Sequence, residues 1–183
     1  MTAIRRPAAA DLEAAKNRLL PDLARPGLRV LFSGINPSLY SAAAGYHFAR
    51  PGNRFWPTLH KSGFTGRQLR PEEQEQLLAQ GFGITNVVAR ATARADELDV
   101  AELREGGQIL ADKVAALGPR WLAVVGITAF RVAFGQRHAA VGEQQESLGG
   151  TRVWVLPNPS GLNAHWSAAA LAQEFARLRA AAG

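Results

Sequence analysis

The chain has 183 residues, 47% of them hydrophobic and 20% charged, which is the size and composition of one globular domain and not of a disordered chain. It contains no cysteine, which excludes a disulfide scaffold, Cys-ligated zinc and iron–sulfur sites, and a thiol nucleophile. Lys and Arg outnumber Asp and Glu by 21 to 15, and the net charge of +6 favours a polyanionic partner such as nucleic acid.

The hydropathy pattern contains neither a membrane span nor an export signal. No apolar run approaches the ~20 residues that a span needs, and no apolar stretch follows Arg5 and Arg6 as it would in a secretory signal. No repeat, low-complexity tract or linker divides the chain. We therefore expect a cytoplasmic protein with no membrane contact, built as an N-terminal arm or helix (residues 1–25) and one domain (residues 26–183).

Four short apolar runs, rich in β-branched residues, predict β-strands. They are nearly continuous in apolar residues and do not alternate with polar ones, which is typical of strands buried on both faces. In chain order the runs are residues 28–33, 83–88, 121–125 and 152–156.

Helical patterns lie between and around these strands. Pro71 followed by two glutamates predicts a helix start, and Gly81 its end. Other helices are predicted from apolar residues at helical spacing, namely Leu12 and Leu19; Leu103, Leu110, Val114 and Leu117, which stop at Gly118-Pro119; Phe130 and Phe134 after Thr128; and Leu171, Phe175 and Leu178. Strands that alternate with helices predict a three-layer α/β/α fold with a short, mainly parallel sheet of four strands.

The same Asn-Pro-Ser triplet follows the first and the fourth predicted strand, as residues 36–38 and 158–160. Either triplet alone is typical of a tight turn, and proline in the middle position excludes a glycosylation sequon. In open α/β sheets, however, sites form beyond the carboxyl ends of the strands. Two copies at equivalent strand ends therefore predict one shared cleft.

Four stretches carry the recognisable motifs: residues 34–39 (GINPSL), 45–48 (GYHF), 51–56 (PGNRFW) and 156–162 (LPNPSGL). Together they resemble the mismatch-specific uracil/thymine-DNA glycosylases. The resemblance extends from Pro26 to the C-terminal helix. It implies a uracil-DNA glycosylase-like fold and a monomeric enzyme without metal, cofactor or obligate protein partner. Such an enzyme excises uracil from double-stranded DNA, best when uracil is mispaired with guanine.

For catalysis, the resemblance implies that Asn36 holds the attacking water. An amide is not a strong base, so its role is to orient the water and not to deprotonate it. Asp96 is a second catalytic candidate, since a carboxylate near the sugar could activate water and stabilise a cation. The alternative for Asp96, a solvated residue or a helix N-cap, stays open.

The resemblance also implies a base pocket and a DNA wedge, and the basic side chains around the mouth of the site are candidates for phosphate contacts. Phe48 is expected to stack on the flipped base. Leu162 is expected to enter the duplex in place of that base, with Gly161 and Asn163 facing the orphaned guanine. The remaining expected pocket residues are Gly34, Ile35, Ser38, Ser41, Tyr46 and Asn158. The expected phosphate contacts are Arg54, Lys61 and Ser160, together with Arg50, Arg90 and Arg94.

Two departures from the family pattern affect these expectations. Ser38 stands where relatives usually have glycine, and its side chain would either crowd the pocket or add a hydroxyl contact. Relatives commonly carry Ser-Arg after the wedge leucine, whereas this chain has Asn163-Ala164-His165. The missing arginine predicts a relaxed preference for guanine as the opposite base.

Two other classes of function compete with the enzyme. One is a module that binds uracil-containing or mismatched DNA without cutting the glycosidic bond; the water-holding Asn36 argues against it, because binding alone needs no such residue. The other is a dinucleotide-binding protein, which fails because no Gly-x-Gly-x-x-Gly follows a strand. Neither Asn-Pro-Ser motif contains a lysine that could form a Schiff base, so we expect no lyase activity.

Overall fold

The structure is a computed structural model that describes residues 5–183. Four strands of the sheet are parallel to one another: β1 (Val30–Gly34), β2 (Phe82–Asn86), β3 (Trp121–Val125) and β5 (Arg152–Leu156). A fifth strand, β4 (Gly142–Glu143), is antiparallel to β5, and the strand order is β2-β1-β3-β5-β4. The predicted three-layer, mainly parallel α/β class is confirmed.

The prediction of four strands was wrong by one. The additional strand β4 has only two residues, Gly142 and Glu143, which pair with Val155 and Trp154. Two residues are too few to produce an apolar run or an alternating pattern. This edge strand depends on its pairing with β5 and leaves no trace in the local sequence.

Seven α-helices and two short 3-10 turns connect the strands within residues 5–183. None of these helices is both long enough and apolar enough to cross a membrane. The helices are α1 (Ala9–Ala14), α2 (Leu39–Ala44), α3 (Phe55–Lys61), α4 (Gln74–Ala79), α5 (Val100–Leu117), α6 (Ile127–Ala133) and α7 (Ala168–Ala182), and the 3-10 turns are Pro71–Glu73 and Ala95–Glu97.

The helix ends follow local sequence signals. α5 ends at Gly118, which adopts the left-handed conformation (φ +58°) that terminates helices. α7 begins after Ser167, whose side chain accepts a hydrogen bond from the backbone N–H of Ala170. α6 begins at Ile127, so Thr128 lies inside the helix and is not its N-cap.

The core lies on both faces of the sheet because successive strand residues point to opposite sides. In β1, Val30 and Phe32 pack on the side of α3 and α7, whereas Leu31 packs on the side of α5 and α6. The ring of Phe32 makes edge contacts with Phe55 at 5.4 Å and Phe64 at 5.3 Å between centroids. This aromatic cluster anchors the start of α3, and with it the PGNRFW segment.

The N-terminal segment extends the sheet along the free edge of β2. The backbone of Leu23 exchanges two hydrogen bonds with Ile84, at 2.8 and 2.9 Å. Further along, the N–H of Asn17 donates to the carbonyl oxygen of Ala91 at 2.9 Å. Much of the expected arm over residues 1–25 is thus attached to the domain by backbone pairing, while residues 1–4 lie outside the described part.

Candidate active site

A cleft of about 360 Å³ opens at the carboxyl ends of the parallel strands. Residues that follow β1, β2 and β5 line it, so both Asn-Pro-Ser turns face the same space. A volume of this size is within the range of small-ligand sites, roughly 300–1,000 Å³. The predicted site residues that the structure brings together in this cleft are Ile35, Asn36, Ser38, Ser41, Phe48, Arg50, Arg94, Asp96, Asn158, Ser160 and Leu162.

Other predicted residues lie beside the cleft or away from it. Gly34 is buried directly behind the cleft, where its Cα faces Asn86 and Phe48. Lys61 is an exposed residue at the end of α3. The predicted site residues that do not line the cleft are Gly34, Tyr46, Arg54, Lys61, Arg90, Gly161 and Asn163.

The orientation of the Asn36 amide is fixed by its hydrogen bonds. Its Nδ2 donates to the carbonyl oxygen of Arg90 at 3.0 Å and to Oγ1 of Thr92 at 2.8 Å. A carbonyl oxygen can only accept, and the Thr92 hydroxyl donates its own proton to the carbonyl of Arg94 at 2.7 Å. Both amide protons are therefore committed to protein acceptors. Oδ1 accepts from no donor in the described part of the chain, and it is left to accept a hydrogen bond in the cleft.

Phe48 occupies an unusual backbone position beside Asn36. Its φ is +51°, in the left-handed region that bulky side chains rarely adopt. Its ring stacks on Phe55, with centroids 4.0 Å apart and planes at 22°. Backbone strain of this kind, held in place by neighbouring structure, is concentrated at functional sites. One face of the ring rests on the core, so the other is available to the cleft that Phe48 lines.

Asn86 is a cleft residue that the sequence analysis missed. It is 92% buried as the last residue of β2, yet its amide has no hydrogen-bond partner among the described residues. The predicted strand 83–88 placed Asn86 inside a strand, but the strand ends at Asn86, on the cleft edge. Asn36 and Asn158 were found because they follow the ends of predicted strands. Asn86 would have been found in the same way if the predicted strand had ended two residues earlier.

His47 is a second missed residue. Its Nε2 lies 2.9 Å from the carbonyl oxygen of Pro21, which can only accept, so this nitrogen carries the proton and Nδ1 is an acceptor. Burial lowers the pKa of His47 below its usual value, against smaller opposing effects of the Pro21 hydrogen bond and the charge of Asp22. The ring that lines the cleft is therefore neutral at pH 7.

Charged side chains surround the mouth of the cleft. Arg50 and Arg94 are exposed and line it. The carboxylate of Asp96 is 63% exposed and forms an ion pair with Arg94. Arg90, which was expected to contact phosphate, instead pairs with Glu102 and donates to Oδ1 of Asn17.

The 158–163 loop, which follows β5, is held by its own side chains. Asn158 Oδ1 accepts from the N–H of Ser160 at 2.9 Å, and Asn163 Nδ2 donates to the carbonyl of Asn158 at 3.0 Å. The Oγ of Ser160 accepts from the N–H of Leu162 at 3.2 Å. At the tip of the loop, Leu162 is 78% exposed beside the cleft. The loop thus exposes a large apolar side chain to solvent on a backbone that is held by hydrogen bonds within the loop.

Ser38, the first departure from the family pattern, caps α2. Its Oγ accepts from the N–H of Ser41 at 3.0 Å and donates to the Ser41 hydroxyl at 3.1 Å. The Ser41 hydroxyl in turn accepts from the N–H of Ala49 at 3.0 Å. The serine is therefore tied into a network that fixes the segment before Phe48.

No group of three or more His, Cys, Asp and Glu side chains that could hold a metal ion is found within residues 5–183.

The family model of the uracil DNA glycosylase superfamily matches residues 21–181. The fold is similar to a solution NMR structure described as that of a candidate uracil DNA glycosylase from Methanosarcina acetivorans. That match has 19% sequence identity and a TM-score of 0.60, and covers 89% of this chain and 98% of the other. At this identity the structural likeness supports the fold, whereas the family model spans most of the sequence. The chain belongs to the uracil DNA glycosylase superfamily, whose members are DNA glycosylases.

Proposed function

We propose that this protein hydrolyses the N-glycosidic bond of uracil in double-stranded DNA, with only a small preference for uracil mispaired with guanine, and leaves an abasic site. The observation that carries the proposal is the Asn36 amide, whose two protons are held by Arg90 and Thr92 while Oδ1 faces the cleft. Enzymes that act on a base in a duplex must extrude it into a pocket. The cleft supplies such a pocket beside Asn36.

In this proposal Asn36 Oδ1 accepts a hydrogen bond from a water and aims its oxygen at C1′ of the sugar. The new C1′–O bond forms as the C1′–N1 bond breaks, and the base leaves as an anion with the bonding electron pair. The attached water loses a proton to solvent, and the departed base takes up a proton from solvent. Because an amide does not deprotonate water, the acceleration comes mainly from positioning and from stabilising the charges that develop. Asp96 is the second candidate, as a carboxylate at the mouth that would favour a cationic sugar.

The base pocket supports uracil as the substrate. The ring of Phe48 rests on Phe55 and offers a flat face for a pyrimidine. The Asn86 amide, which has no partner among residues 5–183, opens onto the cleft and offers a donor and an acceptor that can pair with O4 and N3–H of uracil. A ligand that completes these hydrogen bonds is favoured, because a bound ligand that cannot do so would leave the amide desolvated and unpaired.

The exposed Leu162 supports base extrusion from a duplex. An apolar side chain inserted between base steps unstacks them, and it can fill the space that the flipped nucleotide leaves. The Asn163 amide is used within the loop, since Oδ1 accepts from the N–H of His165 at 3.2 Å and Nδ2 donates to Asn158. We therefore propose that backbone groups near Gly161 face the orphaned guanine.

We further propose that the enzyme is monofunctional and acts without metal. Among the residues that the structure describes, no lysine lines the cleft, so water is the proposed nucleophile and not an amine that would form a Schiff base.

The test is single-turnover excision on labelled duplexes that carry one uracil opposite guanine, with alkali to reveal abasic sites. We expect cleavage that persists in EDTA and requires alkali. Asn36→Ala should lower the rate by about 10²-fold, the loss typical of misplaced reacting groups, since Asn36 positions the water. Cleavage without alkali would contradict the monofunctional assignment. Tight, salt-sensitive binding without any excision would leave only the DNA-binding module.

A further inference from the structure

We propose that Arg54 is a positioning residue that holds the 158–163 loop in the shape that presents Leu162, and that it does not contact DNA phosphate. The inference rests on the proposed function, because it gives Leu162 the role of the wedge. It assigns to Arg54 a role different from the phosphate contact expected from its charge.

The contacts of Arg54 converge on this one loop and its continuation. Its Nη2 donates to the carbonyl oxygens of Ser160 at 3.1 Å and Asn163 at 3.0 Å. Its Nη1 donates to the carbonyl of Trp166 at 2.6 Å, and its backbone N–H donates to that of Pro159 at 2.9 Å. The carbonyls of Ser160 and Asn163 bracket Leu162, so one guanidinium nitrogen ties both sides of the tip.

Four of the five N–H donors of the guanidinium are not available to a phosphate. Nε of Arg54 is buried and has no hydrogen-bond partner, the single such side-chain atom found within residues 5–183. Both protons of Nη2 and one of Nη1 are taken by carbonyl oxygens. The planar guanidinium holds its N–H donors at fixed angles and can bind three separate carbonyl oxygens at once. The flexible ammonium of a lysine does not have this geometry.

A second link joins the same two segments. A Cβ added to Gly161 would lie 2.6 Å from the carbonyl oxygen of Gly52, so the loop backbone is in close contact with the turn before Arg54. Leu162 itself is 78% exposed and has little packing to orient it. Its direction must therefore come from the backbone that carries it. Two contacts from outside the loop hold that backbone: the hydrogen bonds of Arg54 and the close contact between Gly52 and Gly161.

The experiment is a double-mutant cycle between Arg54→Met and Leu162→Ala, read as single-turnover excision on a duplex with uracil opposite guanine. If Arg54 acts through Leu162, both single variants should lose activity, and the double variant should be no slower than the slower single variant within about threefold. The matched control is Arg131→Met, since Arg131 also holds a loop by donating twice to one carbonyl, that of Ala139, at 2.9 and 2.7 Å. This control should keep the wild-type rate.

The salt dependence of binding separates the two roles of Arg54. A lost phosphate contact reduces the slope of log K against log salt by about 0.9. We expect Arg54→Met to leave this slope unchanged for a duplex that carries the abasic product. Arg54→Lys keeps the charge without the fork and should resemble Arg54→Met. A reduced slope, independent losses in the double variant, or full activity of Arg54→Lys would overturn the proposal.

Two further measurements keep the test decisive. Gly161→Ala disturbs the same loop with Arg54 intact. Its effect on the excision rate should likewise be non-additive with that of Leu162→Ala, which covers the case that Arg54→Met does not fold.

Fluorescence of 2-aminopurine placed beside the uracil reports unstacking without excision. If the wild-type protein unstacks this base and does not excise uracil, the proposed function fails. The proposal for Arg54 is then still tested by whether Arg54→Met abolishes the unstacking.

Discussion

Replacing Gly34 with alanine tests whether Asn86 and Phe48 form the base pocket. The added Cβ would lie 2.6 Å from Asn86 Oδ1 and 3.3 Å from Phe48 Cζ. Carbon–oxygen contacts are normally about 3.3–3.6 Å, so the Asn86 amide must move by roughly 0.7–1 Å. A displacement near 1 Å at a reacting site can cost about 10²-fold. We expect uracil excision to fall on the order of 10- to 100-fold.

The measurement is the single-turnover rate, with Gly66→Ala as the matched control because a Cβ at Gly66 would meet no atom within 4 Å. Shortening Asn86 to alanine removes the atom that the new Cβ meets. In an Asn86→Ala background, Gly34→Ala should therefore lower the excision rate by less than about threefold. A wild-type rate for Gly34→Ala, or a double variant whose loss is the product of the two single losses, would refute this placement of Asn86.

Three further predictions concern His47, Asp96 and the opposite base. Burial lowers the pKa of His47, so below about pH 6.5 the unfolded chain binds a proton that the folded chain does not; the thermal midpoint should fall as pH decreases, and less steeply in His47→Gln. Asp96 is 63% exposed and paired with Arg94, so Asp96→Ala should lower the excision rate by at most about fivefold, whereas a far larger loss would make its carboxylate catalytic. Because no arginine follows the loop tip, excision rates opposite guanine and adenine should lie close together, and a large preference for guanine measured on paired duplexes would contradict this.

The cleft could be predicted because two features of the local sequence coincide: a short apolar run that indicates a strand, and a polar turn directly after it. Asn36 and Asn158 follow short apolar runs, rich in β-branched residues, that predict strands, and strand ends in such a sheet form sites. Asn86 obeys the same rule but was hidden by a boundary error of two residues, which is the usual uncertainty of a strand end. Asn86 was missed because the end of the predicted strand was placed two residues too late, and not because its residue type was misjudged.

Long-range pairing explains what the sequence could not predict. Leu20 lines the cleft because the N-terminal segment pairs with the edge of β2, more than 60 residues away. Nothing in a window around Leu20 indicates that partner. Arg54 illustrates the same limit for charge, since an arginine in a basic protein suggests a phosphate contact. Its actual partners, three backbone carbonyls, lie over 100 residues along the chain.

The start of α3 links the two halves of the proposed reaction. Arg54 ties the 158–163 loop, and the next residue, Phe55, lies 4.0 Å beneath the ring of Phe48. Phe55 is in turn fully buried against Phe32 of β1, the strand that leads to Asn36. The loop proposed to displace the base and the ring proposed to receive it thus share one rigid support. Because Arg54 and Phe55 are adjacent at the start of α3, a shift of the first turn of this helix would misplace both the 158–163 loop and the ring of Phe48.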